Sequence, residues 1–92
     1  MNEKLIEKKL RELVKKLGGI ALKFFCMSFT GMPDRIVLMP GGRIWFVELK
    51  STGMKPTPRQ AIVHAFLRKL GFEVWVIDTQ EGLTEFEKRI AA

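Results

Sequence analysis

Cysteine is almost missing from this chain: Cys26 stands alone among 92 residues, so no internal disulfide can form and no Cys-rich zinc site is on offer. A reducing compartment, the cytoplasm, is the expected setting. Long apolar runs are missing too. The opening residues MNEKLIEKKLRELVKK carry charges throughout, which excludes a signal peptide or a membrane span there. There is no Pro/Gly/Ser-rich linker and no internal repeat, and a chain this short has room for one domain, expected to stand alone over residues 1–92. Acidic side chains are in the minority. Ten Asp and Glu face sixteen Lys and Arg, a formal charge of +6 that favours polyanionic partners such as nucleic acid or acidic lipid. With 47% hydrophobic and 28% charged residues, the composition is that of a folded chain rather than a disordered one. A folded chain of this size buries only about 60% of the surface its unfolded form exposes, so its core is thin and pairing with a second copy is expected.

Apolar residues at Leu5, Ile6, Leu10, Leu13, Val14 and Leu17 trace one helical stripe that Gly18-Gly19 terminates. Branched and aromatic residues then predict strands over 20–29, 35–39 and 43–50, the last two joined as a hairpin by Pro40-Gly41-Gly42. Thr57-Pro58-Arg59-Gln60 combines an N-cap Thr, a Pro at the first helical position and a Gln three residues after the cap, which starts a second helix running to about Leu70. A strand over 72–78 and a helix over 79–90 complete the pattern. The order is αβββαβα: an α/β fold with one mixed four-stranded sheet flanked by helices, in which the crossover helix makes the last strand parallel to the third.

Glu48 and Lys50 are two apart on the third strand, so both side chains leave the same face, beyond Ile44 and Phe46. Trp45, Val47 and Leu49 leave the other, which marks the strand as central. An ion pair at a covered strand end costs on the order of several kcal/mol per ion in desolvation, so stability is a poor reason to keep one there. Taken alone, Glu-x-Lys still reads as a solvated strand terminus. Gly31-Met32-Pro33-Asp34 adds an acid at the start of the neighbouring strand, where it can meet Glu48 across the hairpin, although an Asp after Pro also suits a turn. Two converging carboxylates repel unless a cation sits between them, and Mg²⁺ is characteristically held by one or two carboxylates with water and phosphate.

Pro33-Asp34 followed by Glu48-x-Lys50 resembles the signature of the PD-(D/E)xK nucleases, which share a restriction-endonuclease-like core. The stretch GMPDRIVLMPGGRIWFVELK with a downstream Gln60 is similar to the virus-type replication-repair nuclease domain, VRR-NUC. The likeness runs from Glu7 through Lys15-Lys16-Leu17-Gly18-Gly19 and Lys23-Phe24 to Gly71-Phe72-Glu73-Val74. It implies a structure-specific DNA endonuclease dependent on Mg²⁺ or Mn²⁺, with Asp34 and Glu48 as metal ligands, Lys50 as the catalytic lysine, Gln60 as a helper and Glu7 as the acid of helix one, joining the metal site through the coordinated water. The Leu49 carbonyl joins the expected metal ligands. Standalone viral members imply branched DNA, such as four-way (Holliday) junctions, as substrate and a homodimer that acts in the host-cell cytoplasm.

Two of these assignments have plain alternatives in the sequence. Glu7 can pair with Arg11 one turn on, with Glu3 as the other acid on nearly the same side, and Gln60 fits the reciprocal capping bond to Thr57. Lys23, Arg35, Lys55 and Arg59 are the cations nearest the motif and the expected phosphate contacts. Lys4, Lys8, Lys9, Arg11, Lys15 and Lys16 are expected to cover the outer side of helix one. His64 is taken as a packing or surface residue, and Cys26, Trp45, Trp75 and the methionines as core or interface. The competing function is a basic nucleic-acid-binding module that does not cut; a protein interaction domain is a third.

Overall fold

A computed structural model describes residues 1–92. Helix α1 (Glu3–Lys16) begins at Asn2, whose side chain accepts the Leu5 N–H at 2.8 Å. Because that cap precedes the first apolar residue, the helix starts earlier than the apolar stripe alone predicts. Strands β1 (Ile20–Lys23), β2 (Arg35–Met39) and β3 (Arg43–Leu49) form an antiparallel meander. Helix α2 (Pro58–Lys69) then returns the chain so that β4 (Val74–Ile77) lies parallel to β3, and α3 (Gln80–Ala91) follows. The sheet order is β1-β2-β3-β4, the mixed four-stranded sheet expected from the sequence. No helix is long and apolar enough to cross a membrane.

The central strand separates two cores. Trp45, Val47 and Leu49 point into the larger one, with Ile6, Leu10 and Val14 of α1 and Leu83, Phe86 and Ile90 of α3. Phe46 points the other way, against Val63 and Leu67 of α2 and Val74. Fully burying each such side chain contributes roughly 1.5–3 kcal/mol, so the α1/α3 face carries most of the stability. Close approach at the exit of α1 needs Gly19: a Cβ there would meet the Met39 sulfur and lie 2.5 Å from the Leu38 carbonyl oxygen.

Coverage of the α2 face is incomplete. Ile20, Leu22 and Leu38 pair across β1 and β2 on the same face as Ile44 and Phe46, yet they stay exposed because α2 packs over β3 and β4. The first strand is also shorter than predicted. It stops at Lys23 rather than continuing to Phe29: no β2 residue lies beyond Arg35 to pair with it, and Phe25 and Met27 project into solvent. Met27 and Met54 thus lie outside the core, whereas Met39, Trp45 and half-buried Trp75 belong to it.

Candidate active site

Four chain segments meet where β3 ends. Asp34 reaches this point because the Phe24 N–H donates to its carbonyl oxygen at 2.8 Å, tying the start of β2 to the end of β1. The loop before it seats on α2 through Gly31, whose φ of 90° suits glycine and whose Cβ position lies 2.9 Å from Val63 Cγ2. The ladder pairs Arg35 with Val47, so one step further Asp34 stands opposite Glu48. Asp34 Oδ1 accepts the Leu49 N–H at 3.3 Å. In an extended strand a residue's carbonyl leaves on the same edge as its N–H, so the Leu49 oxygen is directed toward the Asp34 side.

Glu48 is buried at 3% exposure on the α2 face. Its Oε2 is 3.7 Å from Lys50 Nζ, and its Oε1 is 3.7 Å from His64 Nε2. Neither Glu48 Oε1 nor His64 Nε2 has a hydrogen-bond partner, an expensive state for buried polar atoms. Burial, and then repulsion from Asp34, push the Glu48 carboxyl up to about 7, with Lys50 pulling the other way. Burial also raises Asp34, opposed by the Leu49 N–H and assisted by Glu3. His64 is lowered by burial and then by the Arg68 and Lys50 charges, so it sits here as a neutral ring.

The segment after Lys50 is fastened to both neighbours. Glu3 N–H donates to Ser51 Oγ at 3.2 Å, Thr52 N–H to the Met1 carbonyl at 3.0 Å, and Gly53 N–H to Asp78 Oδ2 at 2.9 Å. These bonds draw the first turn of α1 to the carboxylates, which is why Glu3 raises the pKa of both Asp34 and Glu48.

Asp34, Glu48, Leu49 and Lys50 come together as the motif predicts. Glu7 does not join them. Its Oε2 pairs with the Arg35 guanidinium at 2.9 Å, and Arg35, opposite Val47, lies on the α1 face, across the sheet from Glu48. The same pairing corrects the expectation for Arg35, which is 7% exposed and cannot reach a ligand's phosphates. Gln60 is engaged as the capping alternative has it: its Oε1 accepts the Thr57 N–H at 2.9 Å and its own N–H donates to Thr57 Oγ1 at 3.2 Å. Arg59 reaches back to the Thr30 carbonyl and hydroxyl and lies over the Phe29 ring. Lys23 and Lys55 are exposed. His64 is the residue sequence reasoning set aside; its one signal is its place a turn beyond Gln60, on the side of α2 that buries Val63 and Leu67.

A divalent cation fits this donor set. The carboxylates of half-buried Asp34 and buried Glu48 stand opposite each other and repel, and carboxylate and carbonyl oxygens are the ligands Mg²⁺ and Mn²⁺ prefer. No group of three or more His, Cys, Asp or Glu side chains is gathered tightly enough to hold a metal by itself.

Comparison with known proteins places the chain in a family. The VRR-NUC domain family matches residues 1–81. "Putative nuclease p44" of Acyrthosiphon pisum secondary endosymbiont phage 1 is 49% identical over 81 residues, covering 88% of this chain and 87% of that protein. A solved structure described as a VRR_NUC domain superimposes with a TM-score of 0.87 at 33% identity, covering 94% of each chain. With fold, motif strands and sequence in agreement over nearly the full length, the chain belongs to the VRR-NUC domain family of nucleases.

Proposed function

We propose that the chain is a Mg²⁺- or Mn²⁺-dependent endonuclease that hydrolyses DNA phosphodiester bonds, with branched DNA such as four-way junctions as its substrate. One observation carries this reading: Asp34 and Glu48 stand opposite each other at the end of β3 with like charges that repel, and Lys50 Nζ is 3.7 Å from Glu48 Oε2. Asp34, Glu48 and the Leu49 carbonyl are the residues that would hold the metal. When bound, such an ion polarises a phosphate oxygen and lowers the pKa of a coordinated water.

Lys50 supplies a compact positive charge against the negative charge that develops on the phosphoryl oxygens, and its Glu48 partner orients it. His64 braces the other Glu48 oxygen from α2. Glu3, rather than Glu7, is the helix-one acid that faces the pocket and can orient water there. Gln60 contributes through the cap that fixes the first turn of α2, one turn before His64. Lys23 and Lys55 take phosphates flanking the cut.

Two copies of the chain are proposed to associate through the uncovered apolar face. Leu22 and Leu38 on the sheet, Ile62 and Phe66 along α2 and Phe25 in the loop are all exposed, and exposed apolar side chains of this size suit a protein–protein seam. A two-fold dimer presents two such sites to strands of like symmetry, as junction cleavage requires. The phage relative fits a virus-encoded enzyme acting in the host-cell cytoplasm.

The test is a panel of labelled junction, flap, duplex and single-stranded DNAs with Mn²⁺, run beside Glu48→Gln and Lys50→Ala. Junction cutting that EDTA and both substitutions abolish is expected. Equal degradation of all four substrates defeats the junction preference, and no cutting of any defeats the enzyme.

A further inference from the structure

We propose that the groove between α1 and β1 holds the phosphate backbone of a DNA arm running away from the cleavage site, a surface distinct from the carboxylate pocket. The proposal rests on DNA being the partner, as in the function above, but not on catalysis. The groove is open, with a volume of about 820 Å³, and Lys8, Arg11, Lys15 and Lys23 line it against the single acid Glu12.

Charge use across the chain singles this groove out. Elsewhere nearly every cation has a structural partner: Lys9 on Gln80, Lys16 on Glu87, Arg35 on Glu7, Arg43 on the Ile90 carbonyl, Arg68 on the Val74 carbonyl, Arg89 on Glu73. Outside α1 and β1 only Lys55 and Lys69 lack one. On α1 and β1, by contrast, Lys4, Lys8, Arg11, Lys15 and Lys23 all make no ion pair or hydrogen bond through their side chains. Spaced three or four apart, Lys4, Lys8, Arg11 and Lys15 also repel along the helix by roughly 0.2–0.5 kcal/mol per pair. A row of free cations kept at that cost is suited to an anion from outside the chain.

Its position suits a nucleic-acid backbone. Lys23 pairs with Arg35, next to Asp34, so one end of the groove reaches the same end of the sheet as the carboxylates, on its opposite face. From Lys8 to Lys15 the helix advances about 10 Å, the span of roughly three phosphates of one strand along duplex DNA. Strand β1 is the open edge of the sheet. Since the Phe24 N–H turns toward β2 to meet Asp34, alternation directs the Ala21 and Lys23 N–H groups to that edge, where they can donate to phosphate.

The experiment measures binding of labelled DNA in EDTA over a salt series. It compares Lys8→Gln/Lys15→Gln with the equal-charge control Lys69→Gln/Lys88→Gln. Glutamine is a good helix former, so α1 stays folded. On a duplex extending past the cut site, the groove variant should lose affinity at least tenfold and flatten the dependence of log K on log salt by about 2, at roughly 0.9 per phosphate contact. On a duplex too short to reach the groove it should match the wild type. Equal losses in the control, or an unchanged slope in the groove variant, overturn the proposal. So does loss of binding to phosphatidylserine vesicles with DNA binding intact, which would assign the groove to a membrane surface. Cleavage of a four-way junction in Mn²⁺ is scored separately: a wild type that binds with the expected slope but never cuts the junction supports the groove and defeats the nuclease.

Discussion

Glu48 and His64 face each other between β3 and α2 with Oε1 and Nε2 3.7 Å apart, both atoms buried and neither satisfied. A neutral ring that carries its proton on Nε2 can close this gap and hold Glu48 in one orientation, leaving Oε2 toward Lys50. His64→Leu should therefore keep the fold, since it replaces an unsatisfied polar group by an apolar one in an apolar setting. It should lower kcat for DNA cleavage about tenfold or more, as misplacement by about 1 Å does. His64→Gln, which restores an N–H donor, should recover most of the rate. Steady-state kinetics beside thermal melts separate the two effects, and equal rates for the Leu and Gln variants would remove the bracing role.

The raised Glu48 carboxyl makes stability depend on pH in a defined direction. Its folded pKa of about 7 lies above the ordinary carboxylate value, so within that window the folded state binds more protons than the unfolded one. Stability from this group is then lost as pH rises toward and through 7. His64 contributes in the opposite sense at lower pH, so the difference between wild type and Glu48→Gln isolates the carboxylate. In EDTA, Glu48→Gln should raise Tm at pH 8 by roughly 5–10 °C and by much less at pH 5. Mn²⁺ should stabilise the wild type more at pH 8 than at pH 5, because cation and proton compete for the same oxygens. Calorimetry at the two pH values reads both.

Glu7 and Glu3 should separate stability from activity. Glu7→Ala strands the buried Arg35 guanidinium, which keeps only a long bond to the Ala21 carbonyl, and should cost about 1–3 kcal/mol. Glu3→Gln touches no ion pair; it should leave Tm nearly unchanged and reduce cleavage. Denaturant melts and cleavage rates for both variants decide, and the reverse pattern would return Glu7 to the site.

The uncovered face should control association. Ile62→Glu/Phe66→Glu places charge on the exposed side of α2, away from Val63, His64 and Leu67. Sedimentation should show the wild type as a dimer and this variant as a folded monomer, because unpaired charges cannot be buried in an apolar seam. A monomeric wild type would end the dimer proposal.

The strand order and the meeting of Asp34 with Glu48 were legible in the sequence, because period-two patterning, the Pro40-Gly41-Gly42 turn and the Thr57 cap act locally. What escaped depends on which face of the sheet a helix covers. Glu3 and Glu7 are a turn apart on α1, and only the ladder register, which turns Arg35 to the α1 face, decides which acid is taken by a structural pair. His64 escaped for a similar reason: α2 has apolar residues on both sides, Val63 and Leu67 buried against Ile62 and Phe66 exposed, so its periodicity does not reveal the inward face. The end of β1 at Lys23 is set by the length of its partner β2, which the composition of residues 24–29 does not encode.

Diffraction from Mn²⁺-soaked crystals, collected at the manganese absorption edge, tests the central claim most directly. A single strong anomalous peak within coordination distance of Asp34 and Glu48 carboxylate oxygens, absent in Glu48→Gln, is the result expected. A peak elsewhere, or none at saturating Mn²⁺, would contradict it.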